Sequence, residues 1–249
     1  MNTGKATYRT PWGVDVQAFY REDTNDWNVH NSSIHEDEYR FAMLPLCGTA
    51  IDVGAHIGSE SLALRTKGYD VLSVEALPEN CELYQRSHEL NDFAGRSTLY
   101  SMALGKDDMS EVEIWYTPDP HHRFIGQQLL PTSGGSIKVP TISLVNLLSQ
   151  RPHFDVIKLD IEGGEWDAFR ALADGPHQHL LDKVDRITVE TDAVPGGPSI
   201  VSTALFGELL PNFVDVSTDV YPAQWCAAGG GGVHGYYVHE RLAESMTTA

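Results

Sequence analysis

Two glycines, Gly54 and Gly58, follow the apolar run at residues 50–53. Glycines at this spacing let the chain turn tightly from a strand into a helix, and they expose the amide groups of the helix N-terminus to a carboxylate or a phosphate. The G-x-x-x-G spacing differs from the G-x-G-x-x-G of dinucleotide sites, and no Gly-Lys-Ser/Thr follows, which excludes a P-loop. Asp52, just before the turn, would repel a pyrophosphate but can accept hydrogen bonds from an ammonium group. The turn therefore favours a ligand with an amino-acid moiety.

A second carboxylate, Glu75, ends the apolar run at residues 70–75 and lies 21 residues after Gly54. At this distance it can accept both hydroxyl groups of a ribose, a role shared by nucleotide-type cofactors on α/β sheets. The run at 97–102 leads into small residues around Ala103, which leave room for a flat adenine ring. A chance glycine turn and a solvated glutamate are the alternative interpretations. The pattern predicts a nucleoside-containing cofactor.

Charged residues cluster where the apolar run at residues 154–160 ends, namely Lys158, Asp160, Glu162 and Glu165. The strand period of two places the first three on one side. Burial of charged groups costs free energy unless they are paired or used in chemistry. We expect Lys158 to form an internal ion pair, and the carboxylates are candidates for acid–base chemistry.

These residues must be positioned by a parallel sheet, because from Thr49 onward apolar runs of strand length alternate with helical periodicity. The runs predict strands at 50–53, 70–75, 97–102, 154–160 and 186–190, and helices at 58–67, 78–90, 144–150, 165–173 and 199–210. Residues 213–217 and 234–241 are predicted to pair as a terminal antiparallel hairpin. The result is a doubly wound, Rossmann-like α/β sheet whose ligand crevice lies at the carboxyl ends of the strands, where the winding reverses.

Two segments fall outside this alternation. Residues 1–48 are predicted to form an N-terminal extension or lid, with a hairpin within 7–20 and a short helix at 34–46, and residues 49–249 form the main domain. Residues 105–140 are too polar and turn-rich for a sheet core and are predicted to be an insertion over the crevice. Both segments carry histidines that could reach a substrate: His30, His35, His121 and His122.

Composition restricts the partners. Lys plus Arg number 17 against 35 Asp plus Glu, and the net charge of −18 opposes binding of a nucleic-acid backbone. The three cysteines contain no CxxC, which suits a reducing cytoplasm. No run approaches the ~20 apolar residues of a membrane span, and no signal peptide is evident. We expect a cytoplasmic protein with a small-molecule or oligosaccharide acceptor and no nucleic-acid or membrane partner; the oligomeric state, a homodimer included, is left open.

Four motifs together resemble the FkbM family of S-adenosylmethionine-dependent O-methyltransferases. They are IDVGAHIGSESL at 51–62, VEALPEN at 74–80, VPTISLVNLL at 139–148 and IKLDIEGGEW at 157–166, in the order of the family. The resemblance implies a class I methyltransferase sheet. It also implies methyl transfer from S-adenosyl-L-methionine to a hydroxyl of a saccharide or a secondary metabolite.

The resemblance also implies a set of cofactor-binding positions, namely Asp52, Gly54, Ala55, His56, Gly58, Ser59, Glu75, Ala76 and Ala103. Asp52 and Gly54 would line the methionine end, Glu75 the ribose and Ala103 the adenine, while Asp160 would face the acceptor. The chain departs from the family at His56, where asparagine is usual. It also lacks the histidine expected beside the strand end after Glu190.

An alcohol is a poor nucleophile at neutral pH, so the enzyme must help to remove the acceptor's proton. Two ways of doing so are open. One is a magnesium ion (Mg²⁺) held by oxygen ligands from Asp160, Glu190 and Asp192. The other is a metal-free base, either Glu162, Glu165 or a histidine of the insertion such as His122, with Asp160 a further catalytic candidate. Simple solvation of the turn at 190–192 is the remaining interpretation of its acidic residues. Two other functional classes are weighed: a nicotinamide-dependent oxidoreductase, for which the glycine spacing is wrong, and a non-catalytic cofactor-binding module.

Overall fold

The computed structural model describes residues 2–116, 135–161, 163–191, 202–222, 226 and 233–246. Its strands are β1 (Thr3–Arg9), β2 (Asp15–Arg21), β3 (Gly48–Val53), β4 (Tyr69–Glu75), β5 (Ser97–Ser101), β6 (Ala103–Gly105), β7 (Glu111–Tyr116), β8 (Gly135–Ser143), β9 (Val156–Leu159), β10 (Arg186–Thr191), β11 (Phe213–Asp215) and β12 (Val233–His239). Its helices are α1 (Asp26–His30), α2 (Ser59–Thr66), α3 (Pro78–Leu90), α4 (Leu144–Ser149), α5 (Glu165–Ala173), α6 (Thr203–Gly207), α7 (Ser217–Val220) and α8 (Glu240–Met246).

A seven-stranded sheet with the order β11-β12-β10-β9-β3-β4-β5 forms the centre of the molecule. The five strands from β10 to β5 are parallel, and β12 runs antiparallel to both β10 and β11. The predicted doubly wound sheet and its terminal antiparallel pair are therefore confirmed. The winding reverses between β3 and β9, so their carboxyl ends mark the predicted crevice.

The sheet is buried on both faces, as parallel sheets with crossover helices require. Ile51 of β3 and Ile157 of β9 pack with α4, α5 and α6 residues on one face. Their neighbours Ala50 and Val156 pack on the other face with α2 and with β1 and β2 of the N-terminal hairpin. The hairpin predicted within residues 7–20 is thus present, and its apolar side chains belong to the core. Within the described residues, no helix is long and apolar enough to cross a membrane.

The prediction of a helix at 34–46 is wrong. The chain forms a π-helical turn at Asn31–His35 and a 3-10 turn at Phe41–Met43. Between them, Asp37 and Arg40 adopt left-handed φ angles of 56° and 60°, which end a right-handed helix. The Lys67 ammonium donates to the carbonyl oxygens of Phe41 and Leu44, both at 2.7 Å, and holds the irregular backbone. The helix predicted at 199–210 is shorter, because α6 spans Thr203–Gly207 and residues 199–201 lie outside the described part.

The segment predicted as a strandless insertion at 105–140 contains β-structure at its ends. Strands β6, β8 and β7 form a separate three-stranded sheet in that order. Ile114 of β7 and Val139 of β8 are buried against Leu77 and Ala103. The alternation of Val112 and Ile114 with acidic residues is a strand pattern that our interpretation of this polar segment missed. Residues 117–134, which include His121 and His122, lie outside the described residues.

Candidate active site

An open cavity lies at the carboxyl ends of β3, β4 and β9, where the winding reverses. Its empty volume is about 800 Å³, part of which is solvent at the mouth. Gly54, Glu75, Ala76, Ala103 and Asp160 of the predicted set line it. Cavities of a few hundred cubic ångströms or more are the usual size for small-molecule sites.

The turn after β3 packs tightly against the loop after β9. Gly54 has a φ of 75°, and a Cβ atom there would lie 1.7 Å from the carbonyl oxygen of Asp160. The amides of Gly54 and Ala55 both donate to the Val74 carbonyl at 3.0 Å. Gly58, with a φ of 93°, lies against the Tyr84 ring. Glycine is therefore required for the turn to lie between β4 and β9.

Glu75 is fixed at the end of β4 by donors on both carboxylate oxygens. Its Oε2 accepts from the His56 amide at 2.8 Å, and its Oε1 accepts from the Leu77 amide at 2.8 Å and from Asn80 Nδ2 at 3.1 Å. Burial raises the pKa of Glu75, and these hydrogen bonds oppose that shift. Asn80 also lines the cavity, and its buried Oδ1 has no hydrogen-bond partner among the described residues.

Lys158 forms the predicted internal ion pair. Its side chain is 1% exposed, and Nζ donates to the Gly54 carbonyl at 2.9 Å and lies 3.5 Å from Asp52 Oδ1. Burial acts to lower the pKa of Lys158, but the carboxylates of Glu60, Asp52 and Asp160 outweigh it and raise that pKa. The ammonium is therefore charged and belongs to the floor of the cavity.

Four predicted cofactor-binding residues shape the turn without lining the cavity: Asp52, Ala55, Gly58 and Ser59. Asp52 is fully buried, and its Oδ2 accepts from Ser61 Oγ at 2.5 Å. Ser59 Oγ lies 2.9 Å from His30 Nδ1, while His30 Nε2 donates to the Phe19 carbonyl at 3.1 Å. Burial lowers the pKa of His30 to about 4, so the ring is neutral at pH 7 and Nδ1 accepts from the serine. His30 therefore ties the N-terminal segment to α2 from a buried position.

His56 lines the cavity with its backbone in the left-handed region, at a φ of 47°. Asparagine tolerates this region better than most residues. Arg21 binds Asp26 through two hydrogen bonds of 2.6 and 2.9 Å, and its Nη2 donates to His56 Nε2 at 3.2 Å. Burial lowers the pKa of His56 to about 3, so the ring is a neutral acceptor held by the N-terminal segment.

Asp160 lies on the cavity wall at the edge where the sheet continues to β10. The Tyr39 hydroxyl donates to Asp160 Oδ2 at 2.9 Å. Beyond this pair, His234 Nε2 lies 3.5 Å from Glu190 Oε2 and 3.8 Å from Glu38 Oε1. His234 is in register with Glu190 across the β10–β12 pair. The sequence has no histidine directly after Glu190, where the family resemblance led us to expect one. Strand β12 instead supplies His234 beside Glu190.

The other candidates for proton removal or metal binding are placed differently. Glu165 is fully buried, does not line the cavity, and accepts from the amides of Ile161 at 2.7 Å and Gly163 at 2.9 Å. A carboxylate oxygen of Glu190 lies within 4.8 Å of a carboxylate oxygen of Glu38 and of a ring nitrogen of His234, and Asp160 does not belong to this group. Three candidates lie outside the described residues: Glu162, His122 and Asp192.

Four residues that the fold brings to the site were not predicted from the sequence: Tyr39, Glu60, Asn80 and His234. Glu60 and Asn80 lie inside the motifs at 51–62 and 74–80. Tyr39 and His234 are far in sequence from those motifs and had no local signal.

Residues 52–211, more than half of the chain, match the family described as the Methyltransferase FkbM domain. The chain belongs to the FkbM methyltransferase family. A curated relative, Methyltransferase 1 of Beauveria bassiana (strain ARSEF 2860), is 24% identical over 177 residues, which are 63% of this chain and 70% of the relative.

Solved structures of methyltransferases resemble the fold at low identity. Magnesium protoporphyrin IX methyltransferase of Synechocystis PCC 6803, solved with bound S-adenosylmethionine, has a TM-score of 0.46 at 12% identity, covering 86% of this chain and 82% of that one. A SAM-dependent methyltransferase of Agrobacterium tumefaciens has a TM-score of 0.45 at 9% identity, covering 91% and 68%. By its family and sheet order, this FkbM protein is an S-adenosylmethionine-dependent methyltransferase of class I, and the nicotinamide alternative is set aside.

Proposed function

We propose that this FkbM methyltransferase transfers a methyl group to a hydroxyl oxygen of a saccharide or a secondary metabolite. The observation that carries the proposal is the pair formed by His234 and Glu190, on which the Asp160 carboxylate of the cavity wall acts electrostatically. Carboxylates and an imidazole can hold a hydroxyl group and accept its proton. The net charge of −18 favours a neutral or small acceptor over a polyanion.

The residues that line the cavity support binding of S-adenosylmethionine there. Glu75 lies where ribose hydroxyls would bind, and the unpartnered Asn80 Oδ1 offers an acceptor for a donor of the nucleoside. Ala76, Ala103 and Ile114 provide apolar walls for an adenine ring. In this proposal the turn glycines and the charged floor around Lys158 take the methionine end. When bound, the cofactor supplies a methyl group already activated as a sulfonium.

The chain's own residues must then orient the acceptor and take its proton. The Tyr39 hydroxyl holds the Asp160 carboxylate towards the cavity edge, where it can accept a hydrogen bond from the acceptor. His234 takes the proton, and the Glu190 carboxylate 3.5 Å away stabilises the imidazolium that results. Glu162 and His122 stay candidates for the same role, whereas Glu165 holds the loop before α5.

A divalent cation is the second candidate at this edge, because the ligand atoms of Glu38, Glu190 and His234 lie within 4.8 Å of one another. An ion there would lower the pKa of a bound hydroxyl and replace the base. Activity measured in excess chelator separates the two mechanisms. Full activity would favour the general base, whereas loss of activity and its recovery on addition of Mg²⁺ or Mn²⁺ would favour the metal ion.

The test of the proposal measures transfer of isotope-labelled methyl to a panel of sugars, glycosides and polyhydroxylated aromatic compounds. His234→Gln should lower kcat by roughly 10²- to 10⁴-fold, the usual contribution of a general base, without weakening cofactor binding. His35→Gln is the matched control, because His35 is exposed and, among the described residues, hydrogen-bonds through its side chain to the Arg9 carbonyl alone, at 2.9 Å. Label on nitrogen or carbon acceptors alone, or an unchanged kcat in His234→Gln, would overturn the assignment.

We also infer a cytoplasmic site of action. Cys47, Cys81 and Cys226 are all free thiols, as expected in a reducing compartment. Fractionation of the source cells is the direct measurement, and recovery from an oxidising compartment would contradict this inference.

A further inference from the structure

Glu60 is a buried carboxylate on the cavity wall to which the proposed mechanism gives no role. It lies in the first turn of α2 and is 4% exposed. Ser33 Oγ of the N-terminal segment donates to its Oε1 at 2.5 Å. Glu60 and Lys158 line the same cavity as Gly54 and Asp160.

The charges around Glu60 are unbalanced. The charged groups that act on it are Asp52 from β3 and Lys158 from β9, and the neutral Tyr39 of the N-terminal segment lies near it. Lys158 is in turn acted on by three carboxylates, the buried Glu60 and Asp52 and the partly exposed Asp160. Burial, together with the Asp52 charge, raises the pKa of Glu60 to about 7, although Lys158 acts in the opposite direction. Either a proton or a cationic group of a ligand must compensate the excess negative charge.

Asp52, which the sequence suggested as the partner of an ammonium group, is already occupied. It accepts from Ser61 and pairs with Lys158, and it does not reach the cavity wall. Glu60 and Asp160 are the carboxylates near this floor that line the cavity. Asp160 accepts from Tyr39 and is assigned to the acceptor edge in the proposed mechanism, whereas Glu60 accepts from Ser33 on Oε1 and has no assigned role.

We propose that Glu60 binds the α-ammonium group of the cofactor's methionine moiety and gives up its own proton to solvent when it does so. The proposal rests on the cofactor orientation given above. The carboxylic acid loses H⁺ to the buffer and the resulting carboxylate pairs with the ammonium, so charge and protons balance. Binding should therefore release a fraction of a proton at pH 7 and none at pH 9, where Glu60 is ionised and the ligand's own amino group, partly deprotonated, takes up a proton instead.

Titration calorimetry with two probes tests this proposal. S-adenosylhomocysteine carries the amino-acid end, and 5′-methylthioadenosine lacks it. Each is titrated at pH 7 and pH 9 in phosphate and in Tris, whose different ionisation enthalpies report the proton count. The wild type should release a proton fraction with S-adenosylhomocysteine at pH 7 and none with 5′-methylthioadenosine.

Glu60→Gln should weaken S-adenosylhomocysteine about 10- to 100-fold, as expected for one lost hydrogen bond to a charged group, and should leave 5′-methylthioadenosine unchanged. Glu82→Gln, an exposed glutamate on α3, is the control and should change neither. Unchanged S-adenosylhomocysteine affinity in Glu60→Gln would overturn the proposal. If that variant does not fold, equal wild-type proton release at pH 7 and pH 9 overturns it. Failure of both probes to bind the wild type would instead refute the cofactor site itself.

Discussion

Replacement of Gly54 by alanine tests how closely the turn after β3 packs on the loop after β9. The added Cβ would lie 1.7 Å from the Asp160 carbonyl oxygen and 2.8 Å from its carbonyl carbon, and both are backbone atoms that cannot rotate away. The φ of 75° adds the strain of a left-handed non-glycine residue, about 1–2 kcal/mol. Overpacking adds about 1–3 kcal/mol. Gly54→Ala should therefore lose about 2–5 kcal/mol of unfolding free energy.

The same displacement should damage the site, since relief of the clash moves either the turn or the backbone of Asp160. Urea unfolding measures the stability, and calorimetry with S-adenosylhomocysteine measures the affinity. Gly95→Ala is the control, because a Cβ there meets nothing within 4 Å, and it should stay within about 0.5 kcal/mol of wild type. If Gly54→Ala matched wild type in both measurements, the close contact between the two loops would be refuted.

Three further predictions concern buried polar groups. His88 stacks on Tyr84 at 4.0 Å and both its ring nitrogens are buried without partners among the described residues, so His88→Phe should raise the unfolding free energy by about 1–3 kcal/mol; a lower melting temperature would contradict this. Burial lowers the pKa of His30 to about 4 from an unfolded value of 6.5, so its contribution to the free energy of unfolding should be complete above pH 6.5 and fall towards pH 4. Urea unfolding at pH 7.5 and pH 5 should show a smaller loss of unfolding free energy in His30→Gln than in the wild type. Tyr39→Phe removes the donor to Asp160 and should lower kcat while S-adenosylhomocysteine affinity, measured by calorimetry, stays within about twofold.

The parallel strands and the glycine turn were predictable because their signals are local. A strand buried on both faces appears in the sequence as a continuous apolar run. In β3, Ala50 and Ile51 pack in the cores on opposite faces of the sheet. Glu75 is positioned relative to Gly54 by one strand–helix–strand unit, so the sequence distance was sufficient to place it at the cavity. The same reasoning gave a wrong prediction of a helix at 34–46. The apolar residues of this segment are buried by an irregular backbone, which Lys67 holds in place from a position far along the chain.

Residues that reach the site across the fold could not be predicted. Tyr39 and Asp160 form a hydrogen bond at a sequence separation of 121 residues. His234 meets Glu190 only because β12 pairs antiparallel with β10 in one particular register, and a shift of one residue would turn the imidazole to the other face. No spacing rule within the motifs contains that information.

Strand register explains why we propose Glu60, and not Asp52, as the partner of the ligand's ammonium group. Asp52 and Lys158 are in register across the parallel strands β3 and β9, so their side chains share one face and pair at 3.5 Å. The protein's own ammonium thus occupies the place that the motif suggested for a ligand's. Glu60, in the first turn of α2, is the next carboxylate along the chain, and the helix N-terminus favours negative charge there. Because one ammonium cannot neutralise all three carboxylates that act on it, a cationic ligand group paired with Glu60 in the cavity would compensate the remaining charge, as proposed above.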